Sequence, residues 1–338
     1  MKIGKVASFA LVGGCLLAGG AAAGDLDDGS FALPQEVVCA ATAFQDYMSS
    51  AAHIDSGFAS GDGVERSLKT GASYQTAQLE EGMIAYGAIA ALQDDRFVQG
   101  VETAAGHGDQ RAAFADRMIQ DPYAATQVDG AIEAGGRVEA AITAAAAPLV
   151  SVGAQVKLAA YSVQHQPWSK VTVANATGRL AEVKSLSAVR AAPSDSENQA
   201  MMQGMADANP ADANDDPAPR FSPIEAKALA LAAESILGHA QGQDRARLTP
   251  LLTENDSAFC LKMAKLNLYQ CMAVAGPQYE DIFCLGQHAL YDTGQCVDHA
   301  ARGDGASSVA MLSPRATPVT KVSYAALATH RTLRIDPN

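Results

Sequence analysis

The chain has 338 residues, of which 48% are hydrophobic, 18% charged and 6% aromatic, with a formal net charge of −13. That hydrophobic fraction excludes disorder over most of the length, because chains stay unfolded when low hydrophobicity meets high charge. The acidic balance excludes a general nucleic-acid binder, which relies on cationic side chains to displace phosphate counterions.

Lys2 and Lys5 precede an apolar run from Val6 to Ala18. The run is shorter than the roughly 20 residues a membrane span requires and has the form of a signal-peptide core. Ala21-Ala22-Ala23 supplies the small residues of a cleavage site, so residues 1–23 are expected to be removed, which takes the charge to −15. Val12-Gly13-Gly14-Cys15 gives a second reading as a bacterial lipobox, with Cys15 as a lipid anchor. The apolar run continues through Leu16, Leu17 and Ala18, which favours cleavage over lipidation. Both readings imply export, to the periplasm or in association with an outer membrane, with secretion as an alternative. No later segment reaches membrane length uninterrupted; the longest, Ala140 to Val152, contains Pro148 and Ser151.

The chain from Pro34 reads as all-α. Val37, Val38, Ala41, Phe44, Tyr47 and Met48 follow at helical intervals, with proline in a favoured first-turn position. Ile54 to Ser73, rich in Gly, Ser and Asp, reads as a connection. A second helix is expected from Ala77 to Leu92, and Asp94-Asp95 caps a short one through Val101. Gly106-His107-Gly108 breaks the chain, and Asp109 opens a helix that ends at Asp121-Pro122, since the residue before proline is driven out of the helical region. Tyr123 to Gln164 is dominated by alanine, and a long helix broken or kinked near Gly135-Gly136 and Pro148 is expected. The corner Gln164-His165-Gln166-Pro167-Trp168 ends it. Another helix is expected from Val171 to Val189, with Val171, Thr172 and Val173 able to run extended.

Residues 34–190 thus form an Ala-rich helical domain. Residues 191–220, with four prolines and many acids, read as a disordered linker. Ser222-Pro223-Ile224-Glu225 starts a second helical domain, 221–302, by serine capping and proline at the first turn. Residues 303–338 read as an extended or disordered tail.

An internal echo marks the second domain. Phe259-Cys260-Leu261 leads to Gln270-Cys271, and Phe283-Cys284-Leu285 leads to Gln295-Cys296. Eleven positions at about 100° each return Cys271 to the face of Cys260, about 16 Å along the axis. The twelve positions from Cys284 to Cys296 overshoot by about 120°, and Gly294 is expected to end the helix early and let Cys296 turn back. Ala275-Gly276-Pro277 is the turn of an antiparallel hairpin, which brings inner and outer cysteines together. The expected bonds are Cys271–Cys284 and Cys260–Cys296. Over about forty residues this resembles the twin-cysteine helical hairpins of small mitochondrial intermembrane-space proteins, whose cysteines stand closer in sequence. Cys39 is left as an unpaired thiol, read as a small buried hydrophobe with a reactive thiol as the sharper alternative.

Candidate chemistry is sparse. His288 and Asp292, at i and i+4, are weak metal-ligand candidates; His299 shares their face but lies about 16 Å from His288 along the axis. Two ligands are too few, so no metal or cofactor is expected. Glu80-Glu81 and Asp94-Asp95 are adjacent acids, more simply explained by helix starts than by catalysis. No nucleophile elbow, H-E-x-x-H or P-loop occurs. His165 and Trp168 make either a small binding corner or a packed loop anchor. The leading reading is an exported envelope protein that acts by binding or scaffolding a protein or envelope partner. A periplasmic hydrolase of cell-wall glycan or peptide is the alternative, and a metal or thiol carrier the third.

Overall fold

Pro34 stands at the N-cap of α1 (Gln35–Ala52), where its missing amide costs no hydrogen bond. The computed structural model describes residues 33–207, 221–239 and 245–303, and these are all-α, with one isolated β-bridge and no strand among them. The signal and lipobox at 1–23, the linker beyond Asp207 and the tail from 304 lie outside the described residues.

The stretch expected to connect the first two helices is itself largely helical. α2 (Gly61–Ala72) is capped by Ser60, whose hydroxyl accepts from Gly63 N, and buries Val64, Leu68, Gly71 and Ala72. Its glycines disguised it in the sequence. One of them serves packing, because a Cβ on Gly71 would lie 2.6 Å from Leu285 Cδ1. α3 (Thr76–Ala91) follows as expected and is buried on nearly every side. Asp94 caps α4 (Asp95–Ala105) through Phe97 N, Gly106 and Gly108 supply the positive φ of the break, and α5 (Asp109–Gln120) ends before Asp121-Pro122.

α6 (Ala131–Val163) runs for 33 residues without the expected break. Pro148 donates nothing to the preceding turn, but Ala144, Ala147 and Pro148 face solvent, where water takes the spare carbonyl. By length and composition alone α6 would suffice to cross a membrane. Its Val138, Ile142, Ala146, Leu149 and Val156 are buried in the protein core.

α7 (Ala176–Leu186) begins later than expected because Val171 to Val173 is extended against the hairpin turn. α8 (Asp195–Asp207) lies in the segment expected to be disordered. It buries Met201, Met202 and Met205, and Asn198 accepts from the Thr42 hydroxyl at 2.6 Å. That apolar stripe outweighs the acidic composition around it. α9 (Pro223–Ile236) opens on a complete capping box between Ser222 and Glu225, and α10 (Arg245–Leu248) is a single turn. α3 packs on both α6 and α9, and one hydrophobic core includes Met83, Ile142 and Leu229. The boundary drawn at 191–220 therefore does not separate two cores.

The hairpin consists of α11 (Asn255–Val274), α12 (Gln278–Cys284), a π-helical segment Leu285–Tyr291, and α13 (Asp292–Arg302). Cys260–Cys296 and Cys271–Cys284 are bonded, each with a Cα–Cα distance of 5.6 Å. The helix does not end at Gly294. Each π turn takes up one extra residue, so the twelve positions from Cys284 to Cys296 phase like eleven and both cysteines face α11. Gly294 instead permits close approach to α6, as does Gly286, where a Cβ would lie 2.4 Å from Lys157 N. Gly286→Ala is therefore expected to cost about 1–3 kcal/mol through overpacking. Urea melts of wild type and variant test this, and an unchanged midpoint would mean that the helices separate freely.

The expectation of a leftover thiol at Cys39 is corrected, because no described cysteine is free. Cys39 is buried on α1, and its Sγ lies 3.5 Å from Asn198 Nδ2.

Candidate functional site

The hairpin turn is fastened to the corner that follows α6. Val173 N donates to Gly276 O at 2.9 Å and Gln278 N to Val171 O at 3.2 Å, around the bridge between Thr172 and Pro277. Ser169, fully buried, anchors the corner by donating to Gln166 O at 3.0 Å. The end of α6 and the corner at 164–170 that continues it thus meet the hairpin turn, more than a hundred positions further along the chain.

Two cavities share this junction. The larger, about 420 Å³, is mainly apolar, lined by Tyr161, Val274, Ala275, Phe283 and the Cys271–Cys284 disulfide. Tyr161 and Phe283 meet edge-on with centroids 6.2 Å apart, and Lys157 Nζ lies 5.9 Å from the Phe283 centroid. Val274 is 84% exposed and Tyr161 52%, an apolar display that costs solvation energy unless something covers it. The smaller cavity, about 290 Å³, is lined by Gln164, His165, Lys170, Pro277 and Tyr279. Gln164 and Tyr279 line both. Glu280, on the wall of the larger one, turns back to accept from Gly276 N at 2.7 Å.

His165, singled out in the sequence, lines the smaller cavity; Trp168 packs partly buried against the core. Sequence reasoning missed Lys170, Tyr279 and Phe283, whose roles depend on which segments meet.

His288 and Asp292 do meet, with Nδ1 and Oδ2 2.7 Å apart, and Gln287 Nε2 donates to the other carboxylate oxygen at 2.7 Å. His299 pairs with Gln295 at 3.2 Å. No group of three potential metal ligands occurs among the described residues.

The paired acids are engaged in building the fold. Asp94 caps α4 and accepts from Arg137 Nε at 3.1 Å, while Glu81 pairs with Arg190 at 2.6 Å. Glu80 is buried and accepts from Glu254 N at the start of α11. A further polar seam escaped the sequence reading. Lys265 is buried, its Nζ donating to Ala72 O at 3.0 Å and lying 3.2 Å from the Tyr74 ring centroid; burial pushes its pKa well below the ordinary lysine value. It occupies the helical stripe of Leu261, Ala264, Leu268 and Met272, a signal that was available in the sequence.

Burial pushes Glu80 and Glu225 each up to about 7. Hydrogen bonds from Glu254 N to Glu80, and from Ser222 to Glu225, oppose that rise without cancelling it. Their ordinary value is 4.5, so between about 4.5 and 7 the folded protein holds more protons than the unfolded chain. The stability they contribute is present below 4.5 and lost as pH rises through 7. Glu80→Gln keeps the acceptor and is expected to remove its share of that pH dependence, up to about 3 kcal/mol between pH 5 and 8. Urea melts at both pH values test this; identical pH slopes in wild type and variant would refute it. No family model matches the chain, and no curated protein or solved structure does so either.

Proposed function

We propose that this is an exported envelope protein that acts by binding, with the junction of α6, the 164–170 corner and the hairpin turn as its recognition site. The observation that carries this reading is the pair of contiguous cavities braced by the Cys271–Cys284 disulfide, with Tyr161 and Val274 held exposed at their edge. Preformed concave sites with an apolar lining and a few polar groups are where ligands and partners bind. The disulfides are consistent with an oxidising compartment, and the signal-like residues 1–23 support export. The buried carboxyls serve as caps and ion-pair partners, which favours binding over hydrolysis.

A photo-crosslinking side chain placed at Val274 in the native host tests this. Discrete adducts at Val274, absent when the same group replaces exposed Glu102 on α4, are the expected result. Equal labelling at both positions, or none at Val274, would refute the reading.

A further inference from the structure

We propose that the double cavity binds a single-chain anionic amphiphile of the fatty-acid class, its alkyl chain in the larger cavity and its carboxylate in the smaller. The inference rests on the binding reading above and names the ligand chemistry. The two cavities divide by polarity. The larger cavity offers an alkyl chain the Tyr161 and Phe283 rings, the Val274 side chain and the disulfide, with polar groups from Gln164, Tyr279 and Glu280 on its wall. The smaller cavity offers an amide at Gln164, a phenol at Tyr279, an imidazole at His165 and the ammonium of Lys170, with no acid among its lining residues.

Charge complementarity decides the head group. The chain as a whole carries −13 and repels anions. Lys170 and Lys157 nevertheless flank the cavities, and neither forms an ion pair among the described residues. The one acid that lines either cavity, Glu280, stands on the wall of the larger one and accepts from the Gly276 amide. A carboxylate beside Lys170 would gain a cation and the Gln164 and Tyr279 donors together, while a cationic head would gain none of them. Gln164 and Tyr279 line both cavities, so head and chain fit as parts of one molecule.

The test uses the full mature protein, cleared of co-purified lipid, titrated with laurate by calorimetry and by the fluorescence of Trp168, the sole tryptophan. Dodecyltrimethylammonium serves as the head-group control. The expected result is saturable 1:1 laurate binding below its aggregation threshold, with the cationic analogue at least tenfold weaker. Lys170→Glu is expected to weaken laurate about 5- to 10-fold, as charge reversal at an exposed ion pair does. Val274→Asp should weaken both probes, whereas Ile132→Asp, at the far end of α6, should leave both unchanged. All three positions are exposed, so folding is expected to persist and is checked by thermal melts.

Absence of saturable laurate binding, or equal binding of the two head groups, overturns the inference. So does concentration-dependent dimerisation abolished by Val274→Asp, which would assign the groove to a second copy of the chain. If laurate fails while the Val274 crosslinker still gives discrete adducts, the ligand class falls and the binding reading stands; if both fail, both fall.

Discussion

Replacing Arg179 by alanine is expected to lower stability by about 3–5 kcal/mol, the usual cost of leaving a buried charge without its partner. Arg179 on α7 pairs with Asp281 on α12, both buried, and also donates to Met272 O of α11 at 3.1 Å. The pair ties α7 to both arms of the hairpin next to the proposed site. Burial outweighs the attraction of Arg179 and pushes the Asp281 carboxyl up to about 7. The alanine variant should consequently suffer less at pH 5, where Asp281 takes up a proton, than at pH 8. The double variant Arg179→Met/Asp281→Leu removes both charges and is expected to recover most of the loss. Urea melts of the three proteins at the two pH values decide the matter. A double variant no better than the single one would show that the pair matters for shape rather than charge.

Removing the outer disulfide by Cys260→Ala/Cys296→Ala is expected to cost about 4 kcal/mol, and removing the inner one by Cys271→Ala/Cys284→Ala about 3 kcal/mol. The order follows from the sequence separations of 36 and 13, since a longer loop loses more entropy when it is closed in the unfolded chain. The inner pair has a different consequence. Cys271 and Cys284 line the larger cavity, so their loss should loosen the wall formed by Val274 and Phe283 and weaken any ligand more than it weakens the fold. Equilibrium unfolding compared with laurate affinity separates the two effects. Equal losses of affinity in both double variants would mean that the inner bond has no special place in the site.

The helices that the sequence revealed are those with strong local punctuation. Pro34, Asp94 and Ser222 each mark a start where the structure has one, because capping is a matter of a few adjacent residues. α2 was hidden by Gly61, Gly63 and Gly71, which lower helix propensity, although Val64 and Leu68 carried its period. α8 was hidden by its acidic surroundings. Its Asn198, Met201, Met202 and Met205 nevertheless follow the i, i+3, i+4, i+7 pattern of a buried helix face. In both helices the buried period, not the local composition, decides the structure.

The sequence by itself determined the all-α class and the nested pairing of four cysteines, because helical phase and an antiparallel turn are local rules. It also placed His165 at a corner. The tertiary structure decided the rest. The π turn between Cys284 and Cys296 has no signature in composition; it exists where the hairpin is packed against α6 and bonded to α11, which reward the rephasing it brings. The double cavity exists only because Tyr161 and Lys170 are joined by Phe283, more than a hundred positions away, through the pairing of Val171 and Val173 with the hairpin turn. Local pattern encodes the helices, and long-range packing encodes the surface they enclose.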